Sequence, residues 1–318
     1  MRFYDILVTN ADGSQYQRWT SQINGYNDPG APQVEVELFE TNFATPLGDS
    51  TVTIWGVDLS LLLQASDFNG KGITVSVGMM SGLPLANPAQ QGVVSIGTIK
   101  QAIGTWQGTE MRLDLFITAT GASLDTPANL VLDWKAGTPL AQALAQSFTT
   151  AFPKFKQAIS ISPKLVLPHD EVHYCATLAQ FAQFIQTVTA GIVASGYQGV
   201  QVTQQGTTLV AYDNTTPGTP KQLLATDLVG QPTWQDAGTA IVNTVLRGDI
   251  HVGDYIKMPL GFVAGPGSLT TAPNNNTQYT NTIGFQGSMQ VNMIRHIGHS
   301  RDPNGTNWVS LFVCSLPG

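Results

Sequence analysis

Gln33-Val34-Glu35-Val36-Glu37-Leu38-Phe39-Glu40-Thr41 alternates apolar and acidic side chains as far as Leu38. Successive residues of a β-strand point to opposite faces, so this stretch reads as a strand with one packed face and one wet, acidic face. Phe39 continues the apolar run out of phase. The same kind of reading extends outward over most of the first 118 residues. Residues 3–9, Thr51-Val52-Thr53-Ile54-Trp55, Ile73-Thr74-Val75-Ser76-Val77, 92–103 and 111–118 are strand-like. Turn residues punctuate them at Asn10-Ala11-Asp12-Gly13, Asp28-Pro29-Gly30 and Asn69-Gly70. Residues 58–64 predict one short helix with Asp58 as its N-cap. Several short strands at this spacing predict a barrel or a sandwich.

The pattern changes near residue 120. Thr138 is placed to cap a helix that begins at Pro139, because proline is tolerated at the first helical position. Leu140, Ala143, Leu144, Ser147 and Phe148 then share one face. A second helix over 177–189 carries the stripe Leu178, Phe181, Ala182, Ile185 and Val188. A hairpin follows, turning at Gln205-Gly206 and ending in Thr208-Leu209-Val210-Ala211-Tyr212. Residues 213–222 read as a loop. Strands resume at 239–246, 253–259, 284–294 and 307–314. Residues 261–281, rich in Gly, Pro, Asn and Thr, read as a long functional or mobile loop. No fixed-period repeat is present in the sequence.

A chain of 318 residues has room for two or three domains. Its apolar fraction of 42% supports packed cores, whereas its charged fraction of 11% falls well below the ordinary value of about 25%. Interface cores are depleted in charge, so this combination points to a subunit of an assembly. The net charge of −7 is concentrated at the front: residues 1–120 hold eleven acids against five bases. No segment is basic, which argues against tight nucleic-acid binding, though an acidic wall that DNA merely passes remains compatible. Cys175 and Cys314 lie far apart and read as two buried free thiols. Met1-Arg2-Phe3-Tyr4-Asp5 begins no long apolar signal segment, and no apolar run approaches the roughly 20 residues that span a bilayer. The expected location is a cytoplasm, or a particle assembled there, with no membrane insertion.

Three stretches carry side chains that could support chemistry. His169-Asp170-Glu171-Val172-His173 has two histidines at helical i, i+4 spacing, but Asp170 stands where a metalloprotease has glutamate, and no third ligand follows. It reads as the polar start of a helix. His296 and His299 would face opposite sides of a strand. Cys175 and His173, two apart, are poorly placed for proton transfer. Nucleotide-binding and nucleophile-elbow motifs do not occur. The six tryptophans are scattered singly and read as core or interface anchors. No catalytic residue, cofactor or metal site is expected, so the chain reads as a non-enzyme.

Several stretches in order carry a resemblance. They are Trp134-Lys135-Ala136-Gly137-Thr138-Pro139-Leu140, Thr177-Leu178-Ala179-Gln180-Phe181, Gln231-Pro232-Thr233-Trp234, Ile250-His251-Val252-Gly253-Asp254-Tyr255-Ile256-Lys257-Met258-Pro259 and Met293-Ile294-Arg295-His296-Ile297-Gly298-His299. Together they resemble the central baseplate hub proteins of contractile-tailed phages, the late control protein D-like family. The resemblance implies a mainly β fold with an α+β insert: a tube-like β-barrel domain over 1–118, an α+β domain over 119–225, and a second barrel over 226–318. It also implies a homotrimer with a pseudo-sixfold ring, joining the tail tube protein to the central spike protein among other baseplate proteins, with DNA only in transit and the virion as location. Glu35, Glu37 and Glu40 are then expected to line the channel, and Arg301 and the 261–281 loop to touch partners. The alternatives are another virion β-protein, such as a tail tube subunit or adhesin, and a hydrolase of cell-wall glycans. The helical unit at 138–212 separates the hub from a simple tube subunit.

Overall fold

The computed structural model describes residues 2–45, 50–80, 87–118, 129–215, 218–236, 238–259 and 287–316; the loop read at 261–281 lies outside them. The opening third consists of strands β1 (Arg2–Thr9), β2 (Gln15–Thr20), β3 (Gln22–Ile23), β4 (Tyr26–Asn27), β5 (Gln33–Thr41) and β6 (Ser50–Trp55), helix α1 (Leu59–Leu63), then β7 (Gly72–Met79), β8 (Gly92–Gln107) and β9 (Glu110–Thr118). The middle holds β10 (Leu130–Trp134), α2 (Leu140–Ala151), β11 (Lys156–Ser160), β12 (Glu171–Cys175), α3 (Leu178–Thr189), β13 (Gln201–Gln205) and β14 (Thr208–Tyr212). The closing third runs through β15 (Lys221–Gln222), β16 (Thr233–Trp234), β17 (Thr239–Val245), β18 (Tyr255–Lys257), β19 (Ser288–His299) and β20 (Trp308–Ser315). The fold is mainly β with an α+β insert.

Local chemistry accounts for the helices. Asp58 accepts the Leu61 N–H at 2.8 Å and caps α1. Thr177 accepts the Gln180 N–H at 3.2 Å and caps α3, whose stripe is packed as expected. At α2 the cap position falls on Pro139 rather than Thr138, because the Thr138 hydroxyl instead donates to the Lys135 carbonyl at 2.6 Å. The stretch around His169–His173 does not begin a helix. It leads into strand β12, which pairs antiparallel with β10 through Val131 opposite Tyr174 and Asp133 opposite Val172. The β-branched and aromatic residues of Glu171-Val172-His173-Tyr174-Cys175 suit a pleated surface better than a helix.

The described residues form three apolar cores. One gathers Ile6, Val36, Ile54, Val75 and Leu113, and also takes in Leu246 and Trp308 from the closing third. The second packs Trp134, Leu144, Phe148, Phe181 and Leu209, with Phe43 reaching in from the opening third. The third holds Trp234, Val242, Ile256, Ile294 and Phe312. Cys175 and Cys314 are buried and free. Trp19, Trp134, Trp234 and Trp308 are core residues, whereas Trp106 is 63% exposed.

Among the described residues, one thirteen-stranded sheet runs β16-β17-β20-β19-β5-β6-β9-β8-β7-β1-β2, with β18 and β15 branching beside β19. Within it, the order β5-β6-β9-β8-β7 is repeated by β16-β17-β20-β19-β18, and every one of these pairs is antiparallel. The repeat extends to detail. In β8 the register against β9 slips between Ile99 and Gln101, and in β19 the register against β20 slips between Val291 and Met293. One residue upstream, Gly70 N–H donates to the Ile99 carbonyl while Ile99 N–H donates to Lys71; Gly253 and Val291, with Asp254, do the same. Gly70 and Gly253 both have positive φ, at 79° and 94°, a backbone that glycine adopts without strain. The chain therefore contains one strand motif twice, with no shared sequence motif to announce it.

Candidate functional site

The two copies of the motif meet where β5 pairs antiparallel with β19, from Glu35 opposite His299 to Thr41 opposite Met293. Directly opposed residues share a face, so this seam has an outer and an inner side. On the outer side Arg295 Nε lies 3.0 Å from Glu37 Oε1, and its guanidinium lies over the Phe39 ring. His299 Nε2 lies 3.1 Å from Glu35 Oε1. The Asp302 backbone N–H donates to His299 Nδ1 at 3.0 Å, which places the proton of a neutral ring on Nε2, facing Glu35. The same side continues across β6 and β9, where Thr53 donates to Asp114 at 2.7 Å and Arg112 pairs with Asp114 at 3.1 Å.

Glu35 and Glu37 thus occupy one face of the sheet, as the alternation of β5 dictates. Glu40 does not join them. It falls on the side of Leu38 and Ile294, its side chain only 11% exposed, and accepts the Val252 N–H at 2.9 Å with His251 Nδ1 at 3.2 Å. The expected row of three acids is therefore narrowed to two, and Arg295 stands against Glu37.

Glu40 is one anchor of the segment joining β17 to β18, residues 246–254. Gly248 N–H donates to the Gln90 carbonyl at 2.9 Å. Arg247 grips Asp249 through two 2.7 Å bonds and reaches Asp227 at 3.2 Å, and Asp227 in turn accepts from Gln90 at 2.8 Å. Lys221 pairs with Asp254 at 2.7 Å. Gln205 of β13 donates to the Val252 carbonyl at 2.8 Å. The segment therefore binds the opening third, the insert and the start of the closing third at once. These contacts give a physical reason for the run Ile250-His251-Val252-Gly253-Asp254.

Two histidines at this junction are driven in opposite directions. Burial opposes the charge on His251, but the hydrogen bond and charge of Glu40, with Asp254, outweigh it and raise its pKa. His296 is wholly buried with Nδ1 2.8 Å from Ser310 Oγ; burial, helped by His251, pushes it down to about 3. It is a neutral core histidine.

Arg301 donates to the carbonyls of Pro29 and Ala31, while Arg2 donates to those of His299 and Asn304. Both arginines staple the start of the chain to the β19–β20 turn. His169 lies 3.9 Å from Glu171 on an exposed surface, and His173 stacks on Phe184 with ring centres 3.8 Å apart. Burial raises the Cys175 thiol, away from a reactive thiolate. Among the described residues no three His, Cys, Asp or Glu side chains gather as a metal site, and no helix is long and apolar enough to cross a membrane.

No protein-family pattern and no curated protein matches this sequence. Solved structures do match in fold. The 43 kDa tail protein of prophage MuSo2 from Shewanella oneidensis superposes with a TM-score of 0.55 at 7% identity, covering 100% of this chain and 99% of its own. A tail protein of Neisseria meningitidis MC58 gives 0.50 at 10% identity, with 99% and 97% covered. An E. coli component of the type VI secretion system, itself similar to the bacteriophage T4 tail proteins gp27 and gp5, gives 0.52 at 9% identity, with 93% and 76% covered. This chain has the tail-protein fold. Nearly its whole length takes part, so the insert belongs to the shared architecture as much as the sheets do.

Proposed function

We propose that the protein is the structural hub of a phage-type tail baseplate, a homotrimer that joins a tail tube protein to a central spike protein and encloses part of the DNA channel. Residues 1–118 and 226–318 are its two tube-like barrel domains and residues 119–225 the α+β domain between them. It works by binding, without turnover or cofactor, as a virion component touching other baseplate proteins.

The observation that carries this reading is the doubled strand motif. A subunit with two equivalent motifs presents six when three copies meet, which is what a threefold spike needs to seat on a sixfold tube. The fold shared with tail proteins over the full chain supports the same placement, as does the low charge. The channel face is assigned to the outer side of β5, β6, β9 and β19, with Glu35 and Glu37 on it. Arg295 and Arg112 offset part of the acidity there, so the wall neither grips phosphate strongly nor repels it along its whole height.

Sedimentation equilibrium of the full chain tests the reading. The expected mass is three times 33.9 kDa. A monomer at all concentrations that also releases fragments from peptidoglycan would overturn it in favour of a hydrolase.

A further inference from the structure

Ser95 interrupts the apolar run Val93-Val94-Ser95-Ile96 near the start of β8. Strict alternation would put Val94 and Ser95 on opposite faces, yet both are buried. Against β7 the register slips here, pairing Val75 with Ser95 and Ser76 with Val93, so Val94 is an extra residue. A bulge of this kind re-aims the side chains beside it.

Gln204 comes from the insert, in β13, which is buried at three successive residues, Val202-Thr203-Gln204. The end of β5 lies along that strand. Phe43 N–H donates to the Val202 carbonyl at 2.8 Å, and the Thr203 hydroxyl donates to the Thr41 carbonyl at 3.0 Å. Gln204 Nε2 donates to the Gly206 carbonyl at 2.7 Å, which fixes the amide and leaves Oε1 as a spare acceptor.

Ser95 and Gln204 are 7% and 9% exposed, and neither Ser95 Oγ nor Gln204 Oε1 has a hydrogen-bond partner among the described residues. Buried polar atoms are nearly always bonded, to protein or to ordered water. The two side chains line one cavity with Phe39, Glu40, Ile96 and His251. It leaves about 20 Å³ for the centre of a water molecule, and roughly 10–15 Å³ is enough to hold one.

We propose that one water molecule is held in this cavity, accepting from the Ser95 hydroxyl and donating to Gln204 Oε1 and Glu40, and so fastens β8 of the opening third to β13 of the insert. Three hydrogen bonds are the usual complement of a buried water. Glu40 keeps lone pairs for it after meeting the Val252 N–H and His251. Those two partners already face the carboxylate, so the ligand need not bring a positive charge. The site adds a solvent molecule to the junction built by residues 246–254, and it stands independently of the hub reading.

A double-mutant cycle tests the bridge. Ser95→Ala removes the hydroxyl; Gln204→Met removes the amide together with its bond to Gly206. In urea denaturation of the full chain, each single variant should lower the folding equilibrium constant about fivefold or more. A water shared by both side chains makes the second change cost less once the first is made, so the double variant should fall short of the product by about fivefold. Effects that simply multiply overturn the bridge. A crystal structure of the unmutated chain should show a density peak roughly 2.6–3.2 Å from both Ser95 Oγ and Gln204 Oε1. No peak there overturns the proposal whatever the variants do. Melting temperatures in potassium, ammonium and choline chloride at equal ionic strength should agree; a rise confined to potassium or ammonium overturns water in favour of a monovalent cation.

Discussion

Gly92 and Gly248 meet backbone to backbone: a Cβ on Gly248 would lie 2.5 Å from the carbonyl oxygen of Gly92, and one on Gly92 would lie closer still to that of Gly248. The contact joins the start of β8 to the segment between β17 and β18, next to the hydrogen bond from Gly248 to Gln90. Rigid backbone on both sides cannot yield as a side chain would. Gly92→Ala and Gly248→Ala should each lower the stability of the full chain by about 1–3 kcal/mol. Gly305→Ala, with nothing within 4 Å of its Cβ, should change it by less than about 0.5 kcal/mol. Urea denaturation followed by tryptophan fluorescence measures all three.

Arg247 is 4% exposed between Asp227 and Asp249. Its removal strands Asp227, a buried carboxylate, without its cation. Arg247→Ala should cost about 3–5 kcal/mol. Asp249→Asn should cost less, since that side chain is partly wet. If the two variants unfold at the same urea midpoint, the buried pair has been misread.

His296 gives the fold an acid-labile element. Its pKa in the folded chain, about 3, lies below its ordinary value of 6.5, so the unfolded chain takes up the proton first. The stability it supports is complete above pH 6.5 and declines as the pH falls toward 3. About 2 kcal/mol should be lost between pH 6.5 and 5. His296→Gln should flatten that part of the pH–stability curve; an unchanged slope would exclude His296 as its source.

His251 acts with the opposite sign. Its pKa in the folded chain is raised, so the stability it contributes is present below pH 6.5 and lost as the pH rises through the raised value. Wild-type stability should therefore peak near pH 6.5, between the two histidines. Glu40→Gln should lower the His251 pKa in an NMR titration and remove the decline on the alkaline side. A titration curve that does not move in this variant would mean that Glu40 is not what holds the proton.

Much of the fold was legible before any coordinates. The alternation of β5, the Asp58 cap, the apolar stripes of α2 and α3 and the burial of both cysteines all follow from neighbours within a few residues. Besides the Thr138 cap, two stretches differ from their local reading. Gln15-Tyr16-Gln17-Arg18-Trp19-Thr20 forms β2 although it lacks an apolar rhythm, because its pairing with β1 supplies backbone bonds that the side chains do not advertise. Glu171-Val172-His173-Tyr174-Cys175 looked like the start of a helix because two histidines four apart suit one; β10, some forty residues upstream, makes it a strand.

The candidate site was legible only in part. Glu35 and Glu37 lie on the wet face that period-two patterning assigns them, yet their partners Arg295 and His299 stand more than 250 residues away. Glu40 looked like a third member of the row and is turned to the inner side, where His251 and Val252 meet it. Side-chain period and capping chemistry act over one turn or one pleat, so they are written into short stretches of the chain. The joining of β5 to β19 and the doubled strand order rest on backbone hydrogen bonds, which every residue type except proline can make. They leave no imprint in composition or motif, and they come into being only when distant segments are brought side by side.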